Sequence, residues 1–124
     1  MLALAEETRM DGSTALLVHG VVDDDSVEQF EHSLEAALST ESGHLILDLT
    51  GCRLDSAGLS ALVRIQRRVL GRPAFTRLVA TDVDLLRLMQ IVGLLAGVKI
   101  YASLAAARHS CRIDGRALGG AHRG

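Results

Sequence analysis

The stretch HLILDLT at 44–50 limits the possible folds more than any other, because it is apolar on both faces. A strand with one wet face alternates apolar and polar residues, whereas a strand covered on two sides reads as a near-continuous apolar run. The segment therefore predicts the centre of a sheet with a layer above and a layer below. Its successor changes period at once. Past the polar knot DSAG, Leu59, Leu62, Val63, Val69 and Leu70 mark one helical face and Arg64, Gln66, Arg67 and Arg68 largely mark the other, with Gly71 and Pro73 as the stop. A doubly covered strand running into an amphipathic helix is the building unit of an α/β domain.

The flanking sequence repeats that unit. Runs at 2–9 and 14–19 surround Asp11, Gly12 and Ser13 and predict a pair of strands at the start. Val27, Phe30, Leu34, Ala37 and Leu38 then recur at helical spacing, with Ser26 placed to cap the helix and Glu28 and Glu31 near its positive end. Phe75–Ala80 predicts a strand, and Thr81 or Asp82 caps a helix that turns Leu85, Leu86, Met89 and Val92 inward, leaving Leu88 outside, and that Gly93 ends. GVKIYAS at 97–103 predicts a last strand, and Ser103 caps a short helix, SLAAARH. CRIDGRALGGAHRG has no apolar period and predicts a loose tail. The expected architecture is one α/β domain at 1–109 with a mixed, mostly parallel sheet, an N-terminal strand pair and alternating helices, followed by a flexible tail at 110–124.

Composition narrows the function. Aromatic residues make up 2%, with Phe30, Phe75 and Tyr101 as the whole supply, so the core is aliphatic and base-stacking platforms are not expected. A formal charge of −2 argues against a nucleic-acid surface, and the Arg64–Arg72 cluster reads as a solvated helix face. Cys52 and Cys111 match neither a metal spacing nor a disulfide framework, which fits a reducing cytoplasm. No apolar run approaches the roughly 18 residues that span a bilayer, and the first residues are acidic where a secretory leader is basic, so no membrane association is expected.

Ser56 sits at the joint where the strand pattern gives way to the helix pattern, between Asp55 and Gly58. A hydrolase nucleophile elbow needs Gly two places before its serine, where this chain has Leu54, and none of His19, His32, His44, His109 and His122 is singled out as a base. Phosphate-loop and H-E-x-x-H motifs are absent, and Asp48 with Asp55 carries no acid–base signature. No enzyme activity and no cofactor are expected. The plainest role for a polar residue here is to cap the helix, a contribution of about 1 kcal/mol.

The flanks add a family resemblance. LILDLTGCRLDSAGLSALVRIQRR resembles the signature of the STAS domain of bacterial anti-sigma factor antagonists: a strand ending Asp-Leu-Thr, a short link, then Asp-Ser-small-Gly-Leu opening a helix. GVVDDDSVEQFEHSL is similar to the family's Gly-x-x-Asp segment, and IVGLLAGVKIYASLAAA to its closing stretch, so the likeness spans roughly residues 5–108. It implies a protein-binding module that sequesters an anti-sigma factor which is also a serine-protein kinase. It implies phosphorylation at Ser56, a phosphatase to reset it, and a docking surface of Asp23, Asp55, Ser56, Ala57, Gly58 and Leu59. Two departures stand out: Ala57 replaces a frequent second hydroxyl, and Val21 a frequent acid. A phosphoryl group at Ser56 is expected to meet unpaired N–H groups at the helix start and leave the fold undisturbed, while the Asp23–Asp25 loop, if adjacent, adds like-charge repulsion. The alternative within the family is a scaffold subunit of a stress-signalling or transport complex that does not switch.

Overall fold

The computed structural model describes residues 4–10, 13–40, 44–68 and 75–122. These form, in chain order, β1 (Leu4–Met10), β2 (Ser13–Val22), α1 (Val27–Thr40), β3 (His44–Leu54), α2 (Ser56–Arg68), β4 (Arg77–Val79), α3 (Val83–Ile91), β5 (Lys99–Tyr101) and α4 (Leu104–His122). The expected turn at Asp11 and Gly12 and the stop at Gly71 and Pro73 lie outside the described residues.

The strands make one sheet in the order β1-β2-β3-β4-β5. β1 pairs antiparallel with β2, and every later pairing is parallel, so the mixed, mostly parallel sheet read from the sequence is the one found. Parallel neighbours bring the ends of β2, β3, β4 and β5, and the starts of the helices that follow them, to one edge of the sheet.

Alternation along the strands divides the core in two. Leu16, Val18 and Val22 of β2, Leu45, Leu47 and Leu49 of β3 and Leu78 of β4 pack with Phe30, Leu34 and Ala37 of α1, Ala61, Leu62 and Ile65 of α2, and Met89 of α3. Each fully buried Leu or Phe there contributes roughly 1.5–3 kcal/mol. The opposite face is thinner. Ala15, Ile46 and Val79 meet Ala107 and Cys111 of α4, and guanidinium groups fasten what small side chains hold weakly. Arg108 donates to Ser13 Oγ at 3.0 Å and to Thr8 Oγ1 at 2.6 Å, tying α4 to the first hairpin, while Arg77 donates to Ser110 Oγ at 2.7 Å.

Four local expectations change. β3 runs to Leu54 rather than Thr50, because two steps of β2, Leu17 to His19, oppose three of β3, Asp48 to Gly51. That extra residue is a β-bulge. It moves the core-facing side chains of β3 from Leu45, Leu47 and Leu49 to Cys52 and Leu54, a change of parity that looks like the end of a strand. Val92 is 41% exposed, where the sequence turned it inward, because Gly93 at φ 79 reverses the chain. Leu94 then donates its N–H to Met89 O at 2.9 Å and takes the buried place beside it, the helix ending that a left-handed glycine permits. Helix α4 continues past His109 into the stretch expected to be a loose tail, because Cys111 lies one turn beyond Ala107 on the sheet-facing side and is 5% exposed. Helix α4 is thus continuous across residue 109. Ser26, finally, holds the cap position of α1, its carbonyl accepting from Phe30 N, but its hydroxyl turns away from the helix, as described below.

Candidate functional site

β3 outruns its neighbour. Its last pairing with β4 is Asp48↔Val79, yet it continues six residues to Leu54, roughly 20 Å at about 3.3 Å per residue. Only β2 accompanies it, through Val22↔Leu54. The bulge that makes this ribbon possible is held by Asp48, a 7% exposed carboxylate whose Oδ1 accepts from Thr50 N at 3.0 Å and Thr50 Oγ1 at 2.7 Å. Asp48 is thus a structural fastener within β3 and is not paired with Asp55. Cys52 follows on the core side, its thiol pushed up to about 12 first by burial and then by the Asp48 charge. It stays a neutral thiol, unlike a nucleophilic cysteine.

At the tip of the ribbon α2 begins, and its first turn divides the work among four residues. Asp55 is the cap: its Oδ1 accepts from Ala57 N at 2.9 Å and Gly58 N at 3.1 Å, and its carbonyl accepts from Leu59 N at 3.0 Å. Ser56 is exposed, and among the described residues its hydroxyl makes no hydrogen bond. Gly58 is buried, and a Cβ there would meet Leu54 Cδ2 at 2.9 Å and Val22 Cγ1 at 3.0 Å. The missing side chain lets the helix start lie directly on the ends of β2 and β3. Leu59 is half-buried against the main core and Ala57 is half-exposed.

The acidic loop follows directly from a residue bonded to the start of α2. Asp55 N donates to Val22 O at 3.1 Å, so Asp23 follows a residue bonded directly to the cap of α2. Inside the loop, Asp23 Oδ1 accepts from Asp25 N at 3.1 Å, its N–H donates to Ser26 Oγ at 3.1 Å, and its carbonyl accepts from Ser26 N and Val27 N. Ser26 is 1% exposed and turns its hydroxyl back to Val21 O at 2.9 Å. It closes the loop where the sequence made it a helix cap, and Asp23 takes part in the same closure. Asp24 and Asp25 are exposed.

The structure therefore brings Asp23, Asp55, Ser56 and Ala57 together at one surface, with Gly58 beneath it and Leu59 partly so. The N–H groups expected to be unpaired are mostly taken: of those on Asp55, Ser56, Ala57 and Gly58, three have acceptors in Val22 O and the Asp55 carboxylate. Sequence reasoning missed Val22, whose carbonyl joins the two loops, and gave Ser26 a capping role in place of closing the acidic loop. The one available signal was the shift of apolar positions from odd to even along LILDLTGCRL. Among the described residues no group of three or more His, Cys, Asp or Glu could hold a metal ion, and no helix is long and apolar enough to cross a membrane.

Comparison with known proteins gives a consistent result. The family that matches is the STAS domain, over residues 6–107. An anti-sigma factor antagonist from Mycobacterium paratuberculosis shares the fold with a TM-score of 0.74 at 23% identity, over 89% of this chain and 94% of that one. The anti-sigma factor antagonist SpoIIAA in its unphosphorylated form aligns with a TM-score of 0.63 at 17% identity, over 90% and 99%. An uncharacterized protein from Shewanella loihica with a SpoIIAA-like fold aligns at 0.61 and 15% identity, over 89% and 93%. No curated protein shows significant sequence similarity to the chain. Likeness at these identities establishes a fold.

Proposed function

This chain belongs to the STAS domain family, and from that premise we propose that it is an anti-sigma factor antagonist of the cytoplasm, a non-enzymatic binding module switched at Ser56. Unmodified, it holds an anti-sigma factor; phosphorylated, it releases it. The partner doubles as the kinase and supplies ATP: a bond forms between Ser56 Oγ and the γ-phosphorus, the bond to the leaving ADP breaks, and the hydroxyl proton departs. A phosphatase restores the serine.

One observation carries this reading. Ser56 stands exposed at the first position of α2 with an uncommitted hydroxyl, because Asp55 already does the capping. A serine needed for the helix would be turned inward on those N–H groups. The added charge of about −1.5 to −2 costs several kcal/mol when buried opposite a surface shaped for a neutral hydroxyl. Asp23, Asp24 and Asp25 add repulsion from the neighbouring loop.

The test compares Ser56→Ala and Ser56→Asp for affinity to the cognate anti-sigma factor, alongside intact-mass measurement after incubation with that kinase and MgATP. The expected result is retained binding by the alanine variant, weakened binding by the aspartate variant, and a phosphoryl mass gain that Ser56→Ala abolishes. Equal binding by both variants with no mass gain overturns the switch, and a stoichiometric complex that survives phosphorylation makes the chain a scaffold.

A further inference from the structure

The arrangement at the start of α2 bears on where a phosphoryl group on Ser56 can go. A phosphate at the first position of a helix ordinarily turns back onto the N–H groups of the first turn, which neutralise part of its charge. Here Ala57 N and Gly58 N are held by Asp55 Oδ1 at 2.9 and 3.1 Å, and Asp55 N is held by Val22 O at 3.1 Å. The N–H of Ser56 itself is the one left among these four.

From this we infer that Asp55 is a positioning residue for the switch: by occupying the N–H groups of Ala57 and Gly58 it keeps a phosphoryl group on Ser56 off the helix and turns it outward, toward the docking surface. The inference rests on the reading of Ser56 as the modified residue. Without Asp55, the same phosphate folds back onto α2, shields its own charge and becomes a weaker switch. The loop that Val22 O joins to the cap of α2 carries Asp23, Asp24 and Asp25. Arg53, exposed two residues before Asp55 in β3, is the nearest cation along the chain.

The test needs no kinase. Phosphoserine is placed at position 56 by genetic encoding in the wild-type, Asp55→Asn and Asp55→Ala chains, the asparagine keeping the cap and removing the charge. The phosphate is titrated by phosphorus NMR while the amide signals of Ala57 and Gly58 are followed. In the wild-type chain the second phosphate ionisation is expected above its usual value of about 6, with both amides insensitive to it. Asp55→Asn lowers that ionisation by about 0.5 to 1 and leaves the amides in place. In Asp55→Ala it falls further, and the Ala57 and Gly58 amides move with the phosphate. Wild-type amides that track the phosphate titration, or an Asp55→Ala chain indistinguishable from wild type, overturn the inference. A kinase that fails to modify Ser56, or a partner indifferent to phosphoserine, overturns the switch instead and leaves this local result standing.

Discussion

Helices α2 and α3 start in the same way and end up with different surfaces. Asp55 caps α2 through Ala57 N and Gly58 N, and Asp82 caps α3 through Asp84 N at 3.0 Å and Leu85 N at 3.2 Å. The next residue is exposed in both, Ser56 in one and Val83, at 67%, in the other. Two positions later they part: α2 has Gly58, pressed against Val22 and Leu54, where α3 has Leu85, packed into the core by its side chain. α3 also carries Asp84 in its first turn, an acid that balances the helix dipole, and α2 carries none. Capping is therefore common property, and what distinguishes α2 is an exposed hydroxyl on a helix start seated against the ends of two strands.

The largest effect expected from this difference is on binding. Phosphoserine at position 56 weakens the complex with the anti-sigma factor by about 100-fold or more, equivalent to roughly 3 kcal/mol, whereas Val83→Asp, a charge at the matching position of α3, changes it by less than about twofold. Isothermal titration of both proteins against the same partner decides. A comparable loss from Val83→Asp would extend the docking surface along the whole sheet edge and erase the contrast between the two helices.

The second test acts on the glycine. Gly58→Val pushes a branched side chain into Val22 and Leu54 and costs about 2–3 kcal/mol of stability. Gly58→Ala costs about 1, because its crowding is partly offset by the gain of roughly 0.8–1 kcal/mol that alanine brings to a helix. Urea unfolding of both variants measures the difference. A neutral Gly58→Val would mean that the start of α2 is free to lift, and that rigidity is not what separates it from α3. Third come the caps: Asp55→Ala and Asp82→Ala each lose about 1 kcal/mol in the same unfolding experiment, and near-equal losses show that the two caps contribute alike to stability.

How far the sequence announces all this depends on the range of the interaction. DSAG is legible because Asp55, Ser56 and Gly58 act within one turn, where spacing alone fixes their geometry. HLILDLT is legible as the central strand because burial on both faces leaves a composition that no edge strand shares. Ser26 and Leu94 are not. Ser26 has the identity of a cap, yet its hydroxyl is claimed by Val21 O across the closing loop, and Leu94 replaces Val92 only because Gly93 turns the chain. The β3 bulge hides for a related reason, since an inserted residue breaks alternation just as a strand end does. Arg77 and Arg108, 3% and 7% exposed, occupy inward positions of β4 and α4, but their identity hides it. A guanidinium is read as surface until the strands and helix that supply its hydroxyl partners are assembled, and the length of α4 was missed with it.

The smallest effect belongs to Cys52, which reports on the ribbon that carries α2 and has no counterpart in β4. Burial, with the Asp48 charge second, raises its thiol from 9.0 to about 12 in the folded chain. The folded state thus prefers the neutral thiol. Its contribution to stability is complete below pH 9, where the unfolded thiol is also protonated, and is lost progressively as pH rises from about 9 toward about 12, because only the unfolded chain then gains by ionising. Unfolding free energies measured under reducing conditions should therefore fall more steeply above pH 9 in the wild-type chain than in Cys52→Ala. A thiolate-selective reagent at pH 8 should label Cys52 slowly in the wild type and faster in Gly58→Val, where the lifted helix start admits water to the ribbon. Equal labelling in both would show that β3 holds its place without α2 pressed against it, and the tight seat of Gly58 would then serve the helix alone.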